Sequence, residues 1–151
     1  MLLLAKRMLD KSIAAWESRS QPEVFAQASR LFTLMTVGQW IRVSMTRDGR
    51  LIATAYDGTV AEVRHLSLGT CQQLYLSLRI AMLLQADKVG ASIPVLADDI
   101  LVNFDSARRR AAARALAELA AHRQVIVFTC HRETADALRE ADPDLVYREL
   151  G

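Results

Sequence analysis

Long hydrophobic runs are missing from this sequence. The nearest approach, Met1-Leu2-Leu3-Leu4, is broken by Lys6, Arg7, Asp10 and Lys11, well short of the roughly 18 apolar residues that a membrane helix needs. The expectation is therefore no membrane span, no export and a cytoplasmic setting. Cysteine is scarce as well: Cys71 and Cys130 show no spacing of a metal knuckle and are expected as reduced thiols. Charge of one sign is not in excess. A net charge of +2 gives no general electrostatic case for nucleic acid and leaves room only for a local patch. Glycine is sparse, and none of the six glycines opens a Gly-x-x-x-x-Gly-Lys-Ser/Thr run. No segment here can wrap β- and γ-phosphates with backbone amides and a lysine.

What is present is a sequence able to build a core. A hydrophobic fraction of 52% with 24% charged residues excludes a disordered or low-complexity tail. With 151 residues the chain makes one domain, or one lobe of a larger one. Leu2, Ala5, Leu9, Ile13 and Trp16 recur at three- and four-residue steps, so residues 2 to 16 read as one helix with an apolar stripe. That helix is either core-facing or the end of a coiled coil. Ser20-Gln21-Pro22-Glu23 starts a second helix over Pro22 to Met35, which Gly38 ends. Ile41 to Thr46, Leu51 to Tyr56 and Val60 to Val63 are β-prone runs separated by Asp48-Gly49 and Asp57-Gly58, the pattern of a small antiparallel meander.

Beyond the meander the pattern alternates. Helices are expected over Thr70 to Ala86, Ser106 to His122 and Glu133 to Ala141, and strands over Ile93 to Ala97, Val125 to Thr129 and Leu145 to Tyr147. Apolar strands between helices imply an α/β fold with a parallel sheet covered on both sides.

Four features in this second part carry chemistry. Leu66-Ser67-Leu68-Gly69-Thr70 runs straight into a long amphipathic helix. A helix N-terminus offers unpaired N–H groups and a positive dipole end to a phosphate, although an ordinary serine cap reads the same way. Ile93 to Ala97 ends in Asp98-Asp99, two carboxylates that can hold Mg²⁺ and polarise a water, or simply form a turn. Asn103-Phe104-Asp105 precedes a helix that Asp105 can cap. Val125 to Thr129 leads through Cys130 to His131, either a structural histidine or a phosphate contact. A parallel sheet gathers both carboxylates and His131 at its C-terminal edge, where open α/β sheets bind ligands.

In this order the four features resemble the signature motif, Walker B, D-loop and switch histidine of ABC-type ATPases. The runs Leu66 to Ala81 and Pro94 to Arg110 are most similar to the C-terminal head segment of the SMC/RecN-like group, in particular the bacterial YhaN-type AAA proteins. The resemblance spans about residues 22 to 149. It implies the parallel-sheet C-terminal lobe of a P-loop NTPase over residues 21–151, with residues 1–20 as the returning end of a coiled coil. Asp98 is then the Mg²⁺ residue, Asp99 stands at the catalytic-base position and His131 senses the γ-phosphate. Ser67, Leu68, Gly69 and Thr70, with Asn103 and Asp105, contact the nucleotide, Ser67 and Gly69 from across a head dimer. Asp99 is one methylene shorter than the glutamate usual in ABC enzymes, and Leu68 replaces the glycine common in transporters.

The implied partners are a P-loop (Walker A) lobe in the same chain or another, and a second head. In such folds the histidine strand lies between the Walker B and P-loop strands, so the lobe alone exposes the edge beside Val125 to Thr129. ATP and Mg²⁺ are the implied substrate and cofactor, with turnover only once the other lobe is supplied, in DNA repair or chromosome-associated work. Two rival readings exist. One is a catalytically silent interaction module using the free sheet edge and the first helix. The other is DNA binding through Arg108-Arg109-Arg110 and Arg114, residues that otherwise form a solvated helix face.

Overall fold

The computed structural model describes residues 22–46, 48–86 and 93–150. The helix expected over Leu2 to Trp16, and with it the assignment of residues 1–20 to a coiled coil, lies outside the described residues. The first helix described, α1, covers residues 22–35, as the proline start predicts. Strands β1 (Trp40–Met45), β2 (Leu51–Ala55) and β3 (Val60–Glu62) follow, then a short 3₁₀ turn at Val63–His65. The remaining elements are α2 (Leu68–Ala86), β4 (Val95–Asp98), α3 (Ser106–Ala120), β5 (Val125–Phe128) and α4 (Arg132–Ala141).

β1, β2 and β3 form the expected antiparallel meander, with Val43 opposite Ala53 and Ala53 opposite Ala61. The two Asp-Gly pairs close it, each with the glycine left-handed, φ +79° at Gly49 and +85° at Gly58. Ser29 ties α1 to this sheet, its hydroxyl accepting the Val43 N–H at 2.8 Å and donating to Phe25 O at 2.7 Å. Phe32 stacks on Trp40 with ring centroids 6.4 Å apart.

One continuous core joins the meander to the second half. Phe32, Leu31 and Met35 of α1 meet Leu74 and Leu78 of α2, Leu101 and Phe104 of the following loop, and Leu116 and Leu119 of α3. Four buried alanines on α3, Ala111, Ala112, Ala113 and Ala115, let neighbouring backbones approach closely. Gln73 of α2 is buried and donates to Met35 O at 2.7 Å, satisfying a carbonyl in the last turn of α1. α2 buries Thr70, Gln73, Leu74, Ser77, Leu78 and Ala81 at helical steps. Its outer side is less polar than an amphipathic helix predicts, because Leu68, Tyr75 and Met82 are exposed at seven-residue steps.

Three expectations are corrected. β4 begins at Val95 rather than Ile93 and includes Asp98, which stands opposite Phe128 in the parallel ladder. The parallel sheet is not covered on both sides by the described residues. Val95, Val125 and Val127 pack on the core, but Leu96 is 70% exposed, Phe128 45% and Ile126 36% on the opposite face. Leu145 to Tyr147 forms no strand. A turn at Asp142 accepts the Leu145 N–H at 3.2 Å, and Tyr147 lies beneath the Arg139 guanidinium at 3.9 Å, so the segment follows α4 instead of a strand edge.

The end of α1 also differs from expectation. Gly38 N–H bonds to Thr33 O at 2.9 Å and Val37 N–H to Leu34 O at 3.2 Å, the paired closure of a Schellman motif. The left-handed residue that such a motif favours as glycine is here Val37, with φ +53°. A β-branched side chain there costs on the order of 1–2 kcal/mol, and Val37 is 67% exposed, so little packing offsets the strain. Val37→Gly is expected to stabilise the fold by roughly 0.5–1 kcal/mol after the entropy cost of glycine, read as a higher urea midpoint with an unchanged slope.

Candidate functional site

The residues singled out from the sequence fall into two groups. The first surrounds the start of α2. Ser67 precedes the helix, and its hydroxyl accepts the Thr70 N–H at 3.3 Å while lying 2.8 Å from the Thr70 hydroxyl. Ser67 is thus a true helix cap. Leu68 and Gly69 occupy the first turn, where N–H groups have no partner within the helix. A side chain at Gly69 would meet Arg108 Nη1 at 3.7 Å and Asn103 O at 4.0 Å. The 67–70 segment and the 103–105 segment are therefore neighbours.

Arg108 joins them. Its Nη2 donates to Gln39 Oε1 at 3.4 Å and its Nε faces Asp105 Oδ2 at 3.4 Å, while Asp105 caps α3 by accepting the Arg108 N–H at 2.9 Å. Arg109 reaches back from α3 to Phe104 O at 2.8 Å and faces Glu133 at 3.8 Å, fixing the loop that follows β4. Two of the three consecutive arginines thus hold the site together instead of forming a solvated face. Arg110 and Arg114 remain, beside Thr33, Leu34 and Val37 on an open cleft of about 370 Å³. Sequence reasoning missed Arg108 because a run of arginines after a cap reads as solvent-facing.

The second group lies at the C-terminal edge of the parallel pair. The Asp98 carboxylate is exposed and has no hydrogen bond or ion pair among the described residues. Asp99 leaves the strand with its N–H bonded to Phe128 O at 2.9 Å and adopts φ +44°. This left-handed backbone, uncommon outside glycine, turns the chain sharply at the end of β4. Thr129 fixes that carboxylate, donating to Asp99 Oδ1 at 2.7 Å while its oxygen accepts the His131 N–H at 3.1 Å. The Cys130 thiol donates to Asp99 Oδ2 at 3.5 Å.

His131 opens α4 without a side-chain cap bond, and one of its ring nitrogens lies within 4.8 Å of a ligand atom of Asp99 and of Cys130. Asp99 and His131 are thereby brought together. Thr129 and Cys130 were given no role from the sequence, and the two-residue step from Thr129 to His131 is the signal that marks the threonine.

The electrostatics follow from these bonds. The Thr129 hydroxyl, above all, holds the Asp99 carboxyl below its ordinary value of 3.8. Partial burial opposes this, and the Cys130 thiol and backbone and nearby His131 add to the lowering. The Cys130 thiol is pushed up, first by its bond to Asp99 and then by that residue's charge. Asp99 is therefore ionised at neutral pH, an acceptor able to orient a water.

The fold is an α/β lobe similar to that of SMC head domains. The SMC head domain of Pyrococcus furiosus, solved with an extended coiled coil and bound to the C-terminal domain of ScpA, superposes with a TM-score of 0.68 at 18% identity, over 87% of this chain and 34% of that one. A structure from work on ATP-driven dimerization and DNA-stimulated activation of SMC ATPases matches with a TM-score of 0.66 at 17% identity, over 82% of this chain and 76% of that one. The SMC head domain from Thermotoga maritima gives 0.58 at 18%, over 86% and 44%. In sequence the chain is similar to the uncharacterized protein YhaN of Bacillus subtilis (strain 168), 29% identical over 141 residues. That match takes in 91% of this chain but only 14% of YhaN. No protein-family model matches.

Thr129→Val removes the bond that holds Asp99 and should move its carboxyl pKa upward, toward the ordinary value, in a carbon-13 NMR titration. A depressed folded-state pKa means the Thr129–Asp99 bond stabilises the fold above pH 3.8 and loses its effect as pH falls through the folded value. The variant should therefore lose less stability than the parent across that acid window.

Proposed function

We propose that the chain is the C-terminal lobe of an SMC/RecN-like ATPase head. In this reading Ser67, Leu68, Gly69 and Thr70, with Asn103 and Asp105 beside them, contact nucleotide, Ser67 and Gly69 that of a second head. Asp98, Asp99 and His131 serve the nucleotide of the head to which this lobe belongs. One observation carries the reading: a parallel strand pair that presents these three residues at its C-terminal edge also leaves Leu96, Ile126 and Phe128 exposed on one face. Parallel sheets are ordinarily buried on both faces, so a further lobe is called for, and a phosphate-gripping loop is the function these 151 residues lack. It is supplied by residues outside this sequence, in the same polypeptide or another.

Each residue has a task suited to its setting. Asp98, exposed and without a bonded side-chain partner among the described residues, would hold a hard, oxygen-seeking cation such as Mg²⁺. Held there, such an ion would supply positive charge to offset that of a bound phosphate. Asp99 accepts a proton from, or orients, the attacking water, and its short side chain is aimed by the left-handed turn and by Thr129. His131 stands beside it as a hydrogen-bond partner for the γ-phosphate. The exposed Leu68 and the first-turn amides of α2 form the face offered to the second head. DNA repair or chromosome-associated work, contact with DNA through the complete assembly and a cytoplasmic setting belong to the same proposal. No described helix is long and apolar enough to cross a membrane.

The rival reading is a catalytically silent interaction module that binds a partner through the free sheet edge and the first helix. It leaves the left-handed Asp99, held between Thr129 and Cys130, without a purpose.

The purified chain alone is expected to bind ATP poorly and to turn it over negligibly. Adding a P-loop lobe of the SMC-like class should produce Mg²⁺-dependent ATP hydrolysis, and Asp99→Asn should reduce it by about 100-fold or more. ATP turnover by the chain alone, abolished by Asp99→Asn, would sink the proposal. Leu96→Glu, a change on the exposed face, should leave the far-ultraviolet circular dichroism of the lobe unchanged and prevent activation by the P-loop lobe.

A further inference from the structure

Cys130 has no task in the reading above, yet its sulfur is 3.5 Å from Asp99 Oδ2. The ligand atoms of Asp99, Cys130 and His131 all lie within 4.8 Å of one another. We infer that these three side chains form a binding site for a thiophilic divalent cation of the zinc class, with a fourth position open to water.

The donor set selects the ion. A thiolate and an imidazole beside a single carboxylate suit Zn²⁺ or its spectroscopic substitute Co²⁺, whereas Mg²⁺ is served by oxygen alone. Spacing agrees with the assignment. Zinc bonds of about 2.3 Å to sulfur and about 2.0 Å to oxygen or nitrogen place tetrahedral ligand atoms about 3.3–3.5 Å apart. The sulfur–oxygen pair already has that separation, and His131 has a ring nitrogen within 4.8 Å of ligand atoms of both residues. Its nitrogens make no hydrogen bond among the described residues, and the residue is half-buried at the start of α4, which leaves the ring free to turn.

Access and anchoring are also in place. Cys130 is exposed, so an ion can enter and keep a water. The Thr129 hydroxyl, bonded to the other Asp99 oxygen, orients the carboxylate from behind, as supporting groups do for metal ligands. Binding replaces the thiol proton, which passes to bulk water as the sulfur–metal bond forms. No electron is transferred.

The site needs no second lobe and no nucleotide, so the binding claim stands apart from the proposed function. Its consequence rests on that function: an ion here occupies Asp99 and His131 and withholds them from ATP, making the head sensitive to zinc through a cysteine.

The test is titration of the purified chain with Co²⁺ under reducing, anaerobic conditions. One equivalent should bind, giving a thiolate-to-cobalt charge-transfer band and the visible bands of a four-coordinate ion, both removed by Zn²⁺. Cys130→Ser should abolish the charge-transfer band, and His131→Ala should weaken Co²⁺ binding by about tenfold or more. Cys71→Ser should leave both intact, and circular dichroism should show each variant folded. Absence of the band in the parent chain, its survival in Cys130→Ser, its loss in Cys71→Ser, or full affinity in His131→Ala would overturn the assignment.

Discussion

Two parallel strands with only one face buried are the constraint on which the rest of this structure depends. β4 and β5 run side by side in register from Val95 against Val125 to Asp98 against Phe128, and their inner side chains join the core shared with α2 and α3. Alternation of side chains then forces Leu96, Ile126 and Phe128 outward. Covering what these three expose is worth roughly 2–4 kcal/mol at ordinary transfer values. That is a modest but specific incentive for a second body to dock. The same ladder puts Asp98, Asp99 and His131 at one end, so the apolar face and the polar edge are two results of a single pairing.

The polar edge is held by local bonds. Asp99 adopts a left-handed backbone, and Thr129 binds both its carboxylate and the His131 N–H. Arg109 anchors the following loop through Phe104 O, and Arg108 connects that loop to Gly69 at the start of α2. The two groups of candidate residues are thus linked through α3.

Much of this was legible in the sequence because the signals are local. Asp48-Gly49 and Asp57-Gly58 fix turns by backbone preference, Pro22 starts α1, and Asp105 caps α3, all within a few residues. Strand ends were less legible. Pairing, not propensity, decides them, so β4 took in Asp98 while Leu145 to Tyr147, with α4 beside it, formed no strand. The half-covered sheet could not be read from apolar strands alone, since Leu96 and Ile126 look as buried as Val95 and Val125.

Val37 and Cys130 were illegible for a related reason. A β-branched residue in a left-handed position contradicts its own propensity and is imposed by the closure of α1. The place of Cys130 at a carboxylate and an imidazole exists only once residues 31 positions apart in sequence are folded together. Thr129 lies between these cases: the Thr-x-His spacing marks it, but its bond to Asp99 required the parallel register.

The central claim is that the open face and outer edge of the β4–β5 pair are made to be covered by a P-loop lobe. Amide hydrogen exchange at residues 125–128, with and without such a lobe, tests it most directly. Added protection is expected at β5 and at Leu96 when the lobe is present, and none at the β1–β2–β3 meander. Unchanged exchange at β5 under conditions where the two lobes demonstrably associate would contradict it.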